Sequence, residues 1–167
     1  MRKTLLTAGF LLAGISKAQE PEAIVYPKPV SKVEPGLSLG LVDFKEKALD
    51  KTWYARLGFD YRVKYPFLVG GGVKVSSSSD IFMVYPDLRA KVRIPLFSTL
   101  KLDPYAGVSV GYAENKTLSK KKLIGGGQAG IQLLYFVGGV SFGVDVSYHA
   151  FTDSRFNHLQ AGFVLTF

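Results

Sequence analysis

The chain has 167 residues, with 21 Lys and Arg against 13 Asp and Glu for a formal charge of +8, and it has no cysteine. That length suits one domain, the missing thiols exclude disulfides and a lipid-anchored cysteine, and the basic balance fits either nucleic acid or an anionic membrane surface.

Met1 to Thr4 is short and basic. Leu5 to Ile15 is an apolar run, and Ser16-Lys17-Ala18 follows with small residues three and one before a cleavage point. This is the anatomy of a cleavable signal peptide over 1–18, and the run is too short to cross a bilayer. An exported chain rarely meets nucleic acid, so no nucleic-acid partner is expected. Residues 19–35 hold four prolines and no alternation, and read as a periplasmic lead-in. No later stretch approaches the eighteen or so apolar residues of a spanning helix. A spanning chain without helices must close into a barrel, because lipid offers backbone groups no other hydrogen-bond partners.

From residue 36 onward the chain alternates with period two, the signature of strands. Between Thr52 and Tyr65 one face carries Trp53, Ala55, Leu57, Phe59, Tyr61 and Val63. The other carries Tyr54, Arg56, Gly58, Asp60, Arg62 and Lys64. The pattern recurs between Ile81 and Pro95 and between Val140 and His149. Eight strands are predicted, over 36–44, 52–65, 67–76, 81–95, 100–113, 123–136, 139–150 and 155–167. Tight connections alternate with longer, more polar ones, as in barrels with short turns at one rim and loops at the other. Pro86 and Pro104 fall inside predicted strands, where each removes a ladder donor, so local bulges are expected there.

A soluble barrel would turn its apolar face inward and show water a face rich in Glu and Lys. Here the five glutamates (Glu20, Glu22, Glu34, Glu46, Glu114) are all placed outside the strands. The polar face of the sixth strand is Gly126, Gln128, Gly130 and Gln132, small enough for the crowded interior of an eight-stranded barrel. Aromatic residues sit near the strand ends, Trp53, Phe82, Tyr112 and Tyr148 on the loop side and Tyr61, Tyr65, Phe67, Tyr135, Phe163 and Phe167 on the turn side. Two such girdles belong at membrane interfaces. The fold class is therefore all-β, an eight-stranded antiparallel transmembrane β-barrel of up-and-down topology over 36–167.

The last strand alternates Leu159, Ala161, Phe163, Leu165 and Phe167, and Tyr105 to Tyr112 alternates with glycine. In these features the chain resembles the OmpA/OmpX/OmpW-like small outer-membrane barrels. The resemblance implies residence in the outer membrane and a role for Phe163, Leu165 and Phe167 as the signal read by the barrel-assembly machinery.

The inward face gathers the bases Arg56, Arg62, Lys64, Lys74, Arg89, Lys91, Arg93 and Lys101 with the acids Asp60, Asp87, Asp103 and Asp145. Buried charges need partners, so a salt-bridge network that fills the barrel is expected. A narrow polar path of the OmpW kind is the alternative function. A lipid A-modifying enzyme is a weaker one, because Asp145, Ser147 and His149 follow one another on one strand face, an arrangement that rarely gives triad geometry. No enzyme, cofactor or metal is expected: His149 and His158 are a weak metal signal. Gly125 to Gly130 fits G-x-G-x-x-G but lies in a strand, without the turn and helix a dinucleotide site requires. Finally, Lys120, Lys121 and Lys122 end the predicted loop 114–122, where contact with lipid A and lipopolysaccharide phosphates is expected from charge.

Overall fold

The computed structural model describes residues 32–45, 51–116 and 120–167. The expected signal peptide and the lead-in up to residue 31 lie outside the described residues, as does the side chain of Lys120. The strands are β1 (Val33–Phe44), β2 (Thr52–Lys64), β3 (Phe67–Ser77), β4 (Ile81–Val92), β5 (Ile94–Pro95), β6 (Leu100–Asn115), β7 (Lys120–Val137), β8 (Val140–Phe151) and β9 (His158–Thr166). β5 is a two-residue continuation of β4, since both pair with β6 in one register. Eight long strands therefore build the wall, each antiparallel to the next, and β1 closes on β9.

Closure is held at both rims by backbone bonds. Phe167 N–H donates to Pro35 O at 2.9 Å, and Lys45 N–H donates to Asn157 O at 2.9 Å. At the turn end, Val137 and Val140 flank Gly138 (φ +56°) and Gly139 (φ +94°). Left-handed backbone at both central residues is what a two-residue hairpin matched to strand twist requires, and glycine adopts it without steric cost.

The structure corrects four expectations. β1 begins at Val33, inside the predicted lead-in, which carries Glu34 into the sheet; Glu114 likewise lies in β6, so two of the five glutamates are strand residues. β7 begins at Lys120, so the three lysines belong to a strand and not to a long loop. The ladder supports this, pairing Glu114 with Lys121 directly across, a favourable opposite-charge pair. Residues 154–156 form a 3-10 turn because Asp153 accepts from Arg155 N–H, and β9 starts only at His158. Neither proline makes a bulge. β3 pairs through Pro86 and β7 through Pro104 without a shift, while β4 and β6 skip the rungs around Tyr85–Pro86 and resume in the same register. The register shifts instead between Arg62 and Lys64 on β2.

The wall is inside-out. Leu57, Leu123 and Phe163 are 68%, 74% and 75% exposed, whereas Lys74 and Asp103 are 0% exposed. Trp53 and Tyr148 face outward, and Asp60 and Arg89 face the lumen.

Two neighbouring glycines separate the inner from the outer demand on space. A Cβ on Gly126 would lie 2.2 Å from Ala150 O, and one on Gly125 would meet nothing nearer than Ser109 O at 3.9 Å. Gly126→Ala should therefore lower stability by about 1–3 kcal/mol through overpacking. Gly125→Ala should change it by no more than about 0.5 kcal/mol. Urea midpoints of the refolded barrel in lipid vesicles check both.

Candidate functional site in the barrel interior

The lumen divides into three zones along the strands. At the loop end Val42, Phe44, Tyr54, Ile81, Met83, Tyr85, Ala113, Ile124, Phe151 and Phe156 form one buried apolar cluster. This cap is missing from the sequence-based expectation of a polar interior. A signal for it existed: continuing the inward phase of β8 past Ser147 and His149 reaches Phe151, and extending that of β4 backwards reaches Met83 and Ile81.

The middle zone holds the charges. Arg56 donates from Nε and Nη2 to the two oxygens of Asp87, both at 2.8 Å, a bidentate pair. Glycine makes room for it, because a Cβ on Gly72 would lie 2.6 Å from the Arg56 guanidinium. Lys91 Nζ donates to Asp60 Oδ2 at 2.6 Å and to Gln132 Oε1 at 2.7 Å. Arg89 lies 3.7 Å from Asp87 Oδ1 and 3.8 Å from Asp145 Oδ2, with its guanidinium 4.8 Å from the Tyr105 ring centre. Asp145 accepts from Tyr105 Oη at 2.8 Å and from Gln132 Nε2 at 2.6 Å. A cavity of about 10 Å³ lies among Arg56, Asp60, Arg89, Lys91 and Gln132. That is room for about one water molecule.

At the turn end Arg93 bridges Asp103 (2.8 Å) and Glu34 (2.9 Å), and Glu34 also accepts from Arg62. Lys101 places Nζ 3.6 Å from the Phe136 ring centre, and Arg93 approaches the same ring at 5.1 Å. Of the twelve expected lumen charges, eleven lie on the inward side, with Arg62 and Lys101 half-buried. Lys64 does not join them: it lies beyond the register shift of β2, at the strand end, and is exposed. Glu34 takes a place in the network that the sequence reading gave to no one. Its signal was the phase of Gly36, Ser38 and Gly40, which extends back to residue 34.

Asp145, Ser147 and His149 do not assemble as a triad. Ser147 Oγ is 3.3 Å from His149 Nε2, but Asp145 is bonded to Tyr105 and Gln132. Gly125 to Gly130 lies within β7. Among the described residues no group of three His, Cys, Asp or Glu could hold a metal ion.

At the loop-end rim Lys122 Nζ donates to Asp153 at 3.1 Å, and Arg155 holds the same carboxylate at 2.7 Å. The Lys122 and Arg155 side chains stay 55% exposed, and Lys121 is exposed. On the last strand Phe163 and Phe167 face outward, with Leu165 half-buried between them.

No protein-family model matches the sequence, and no curated protein matches it. Solved structures do. Neisserial surface protein A is similar over 82% of this chain and 98% of its own, with a TM-score of 0.61 and 14% identity. The N-terminal barrel domain of Pseudomonas aeruginosa OprF is similar over 82% and 97%, with a TM-score of 0.65 and 10% identity. The fold is that of the small outer-membrane barrels. Yersinia pestis Ail, solved in complex with the heparin analogue sucrose octasulfate, shares it at a TM-score of 0.53 and 16% identity, over 81% of this chain and 97% of its own.

Removing one partner of a buried bidentate pair strands the other. Asp87→Leu should therefore cost about 3–5 kcal/mol, and adding Arg56→Met should restore most of it. A double-mutant cycle on urea midpoints checks the coupling. Arg155, with Lys122, holds the Asp153 carboxyl well below the usual carboxylate range. A carboxyl depressed in the folded state contributes its stability above the unfolded value, about pH 3.9, and loses it as pH falls towards the folded value. Carbon-detected NMR of Asp153 should accordingly show it still ionised at about pH 3, where an ordinary aspartate is largely protonated.

Proposed function

We propose that the chain is an outer-membrane β-barrel with a structural or envelope-interaction role, its lumen closed by its own side chains. The carrying observation is the inverted polarity: a continuous apolar exterior around a charged, paired interior. In water such an exterior would be an aggregation surface; a bilayer covers it, and the strands are long enough to cross one. The signal-peptide pattern of residues 1–18 supports export to that membrane. Among the described residues, the apolar cap, the paired charges and a cavity of only about 10 Å³ between them support a lumen filled by side chains. This favours a closed barrel over a narrow OmpW-like channel. Against a lipid A-modifying enzyme stands the Ser147–His149 contact, which lies buried in the lumen with no carboxylate among the described residues orienting the imidazole.

The partners on this reading are outer-membrane lipid and lipopolysaccharide, with the barrel-assembly machinery during biogenesis. The outward alternation of Phe163, Leu165 and Phe167 is the feature that machinery would read. Lys120, Lys121 and Lys122 start β7 at the rim, where each lysine near an anionic surface contributes on the order of 1 kcal/mol. A compact ammonium suits phosphate as a point charge.

Two measurements test this. In planar bilayers the wild-type protein should be nearly silent at neutral pH, and steady anion-selective conductance would establish the channel instead. Changing Lys120, Lys121 and Lys122 together to Gln should destabilise the barrel more in lipopolysaccharide-containing bilayers than in neutral ones. The excess should shrink as salt rises, because screening acts over roughly 8 Å at physiological ionic strength. The Lys122–Asp153 contact is lost equally in both bilayers, so only the difference reports on lipid.

A further inference from the structure

The turn-end mouth of the lumen carries more base than its own acids hold. Arg62, Lys64, Arg93 and Lys101 gather there with Lys32, whose carbonyl accepts from Arg62 N–H at 2.8 Å. Among the described residues, only Glu34 and Asp103 bring acidic side chains to this end. Both are already held. Asp103 accepts from Arg93 Nε at 3.1 Å and from Nη2 at 2.8 Å, and Glu34 accepts from Arg93 Nη1 at 2.9 Å and from Arg62. Five bases against two acids leave an excess of three positive charges.

Lys101 is the informative member of the group. Its Nζ stands 3.6 Å from the centre of the Phe136 ring, and the Arg93 guanidinium lies 5.1 Å from the same centre. The ring holds the ammonium beside Arg93 but leaves its charge in place. An ammonium has three protons to donate, and no hydrogen bond or ion pair to another described residue takes them. The surrounding wall offers no acceptor. Leu134 and Leu68, which pair with Lys101 and Arg62 in the ladder, are buried, and Ser141 and Thr166 bond to each other. Yet the group is reachable from solvent, since Lys32 and Lys64 are exposed and Arg62, Lys101 and Phe136 are only half-buried.

We propose that this mouth is a binding site for a phosphate group, taken by Lys101 and Arg62 with Lys32 and Lys64 at its edge. Arg93 brings the first two together, because it shares Glu34 with Arg62 and the Phe136 ring with Lys101. A phosphate offers several acceptor oxygens pointing in different directions, so bases arriving from β2 and β6 can share it. Guanidinium matches two of those oxygens at once, and ammonium serves as a point charge. The carboxylate of Glu34 does not repel the ligand unopposed, since two guanidiniums already surround it. The site lies at the opposite end of the barrel from Lys120, Lys121 and Lys122, and it asks for no passage through the lumen. With the turn end facing the periplasm, the phosphate has two possible sources, a phospholipid headgroup of the inner leaflet or free phosphate in solution.

The full barrel, isotope-labelled and refolded in maltoside micelles that carry no phosphate, tests this by NMR. Sodium phosphate is titrated in one arm, with sodium chloride at matched ionic strength as its control. Phosphatidylglycerol is added in the other, with a diacylglycerol of the same chains as its control. The amides of Lys101 and Phe136 and the Nε–H of Arg62 should shift along a saturating curve in at least one arm, and little in either control. Saturation by phosphatidylglycerol alone assigns the headgroup, and saturation by free phosphate assigns the soluble ligand. Lys101→Gln should weaken binding at least about tenfold, as expected for loss of a hydrogen bond between charged groups. The triple change of Lys120, Lys121 and Lys122 to Gln should leave it unaltered. Each variant is first shown to be folded by its heat-dependent gel mobility, and Arg62→Gln takes the place of Lys101→Gln if the latter does not fold. Shifts that chloride reproduces, no saturating shift in either arm, or a folded variant that binds as tightly as the wild type would overturn the site.

Discussion

Everything in this barrel depends on the pairing of β1 with β9. A sheet of eight strands with two free edges would leave rows of backbone N–H and C=O groups without partners, and a hydrocarbon surrounding supplies none. Nine rungs from Gly36–Thr166 to Phe44–His158 remove both edges at once. Closure also decides polarity. Once the ladder is circular, period-two alternation sends every other side chain into a space with little room for water, and that space must be filled by groups that satisfy one another.

The interior solves this by zoning. Apolar side chains fill the loop end, where they need no partners. The middle and turn end carry guanidinium, ammonium and carboxylate groups on different strands, tied by charge-assisted bonds. Arg56 on β2 reaches Asp87 on β4, Lys91 on β4 reaches Asp60 on β2, and Arg93 beyond β4 joins Asp103 on β6 to Glu34 on β1. Such pairs add little net energy over a well-packed apolar core, but breaking one is costly. Each one therefore acts against a slipped register, since a shift by one residue would move a charge from lumen to exterior. Small residues complete the fit, Gly72 beside Arg56 and Gly70 beside Asp60.

Much of the architecture was legible in the sequence because alternation is a local signal. Trp53 to Val63 and Val140 to Tyr148 declare which side each residue takes, and closure follows from the need to satisfy the backbone. Strand ends were less legible. Val33 to Pro35 sit among prolines and Lys120 to Lys122 are charged, so neither stretch looks like a strand until its partner is known; the pairing of Glu114 with Lys121 is a tertiary fact. Partners within the lumen were beyond reach for the same reason. Period two places Arg89 inside but does not say that it lies between Asp87 and Asp145. The prolines misled in the other direction: an unpaired rung can be omitted without a bulge when the next strand needs no donor there.

At the loop end, Ser77 and Ile81 are joined by only three residues and Asn115 and Lys120 by four, and Lys116 N–H ties these two connections together through Asp80 O at 2.8 Å. Lys116 adds a second tie, its Nζ donating to Ser78 O at 2.6 Å, so a displacement of the connection between β3 and β4 is carried directly to the end of β6.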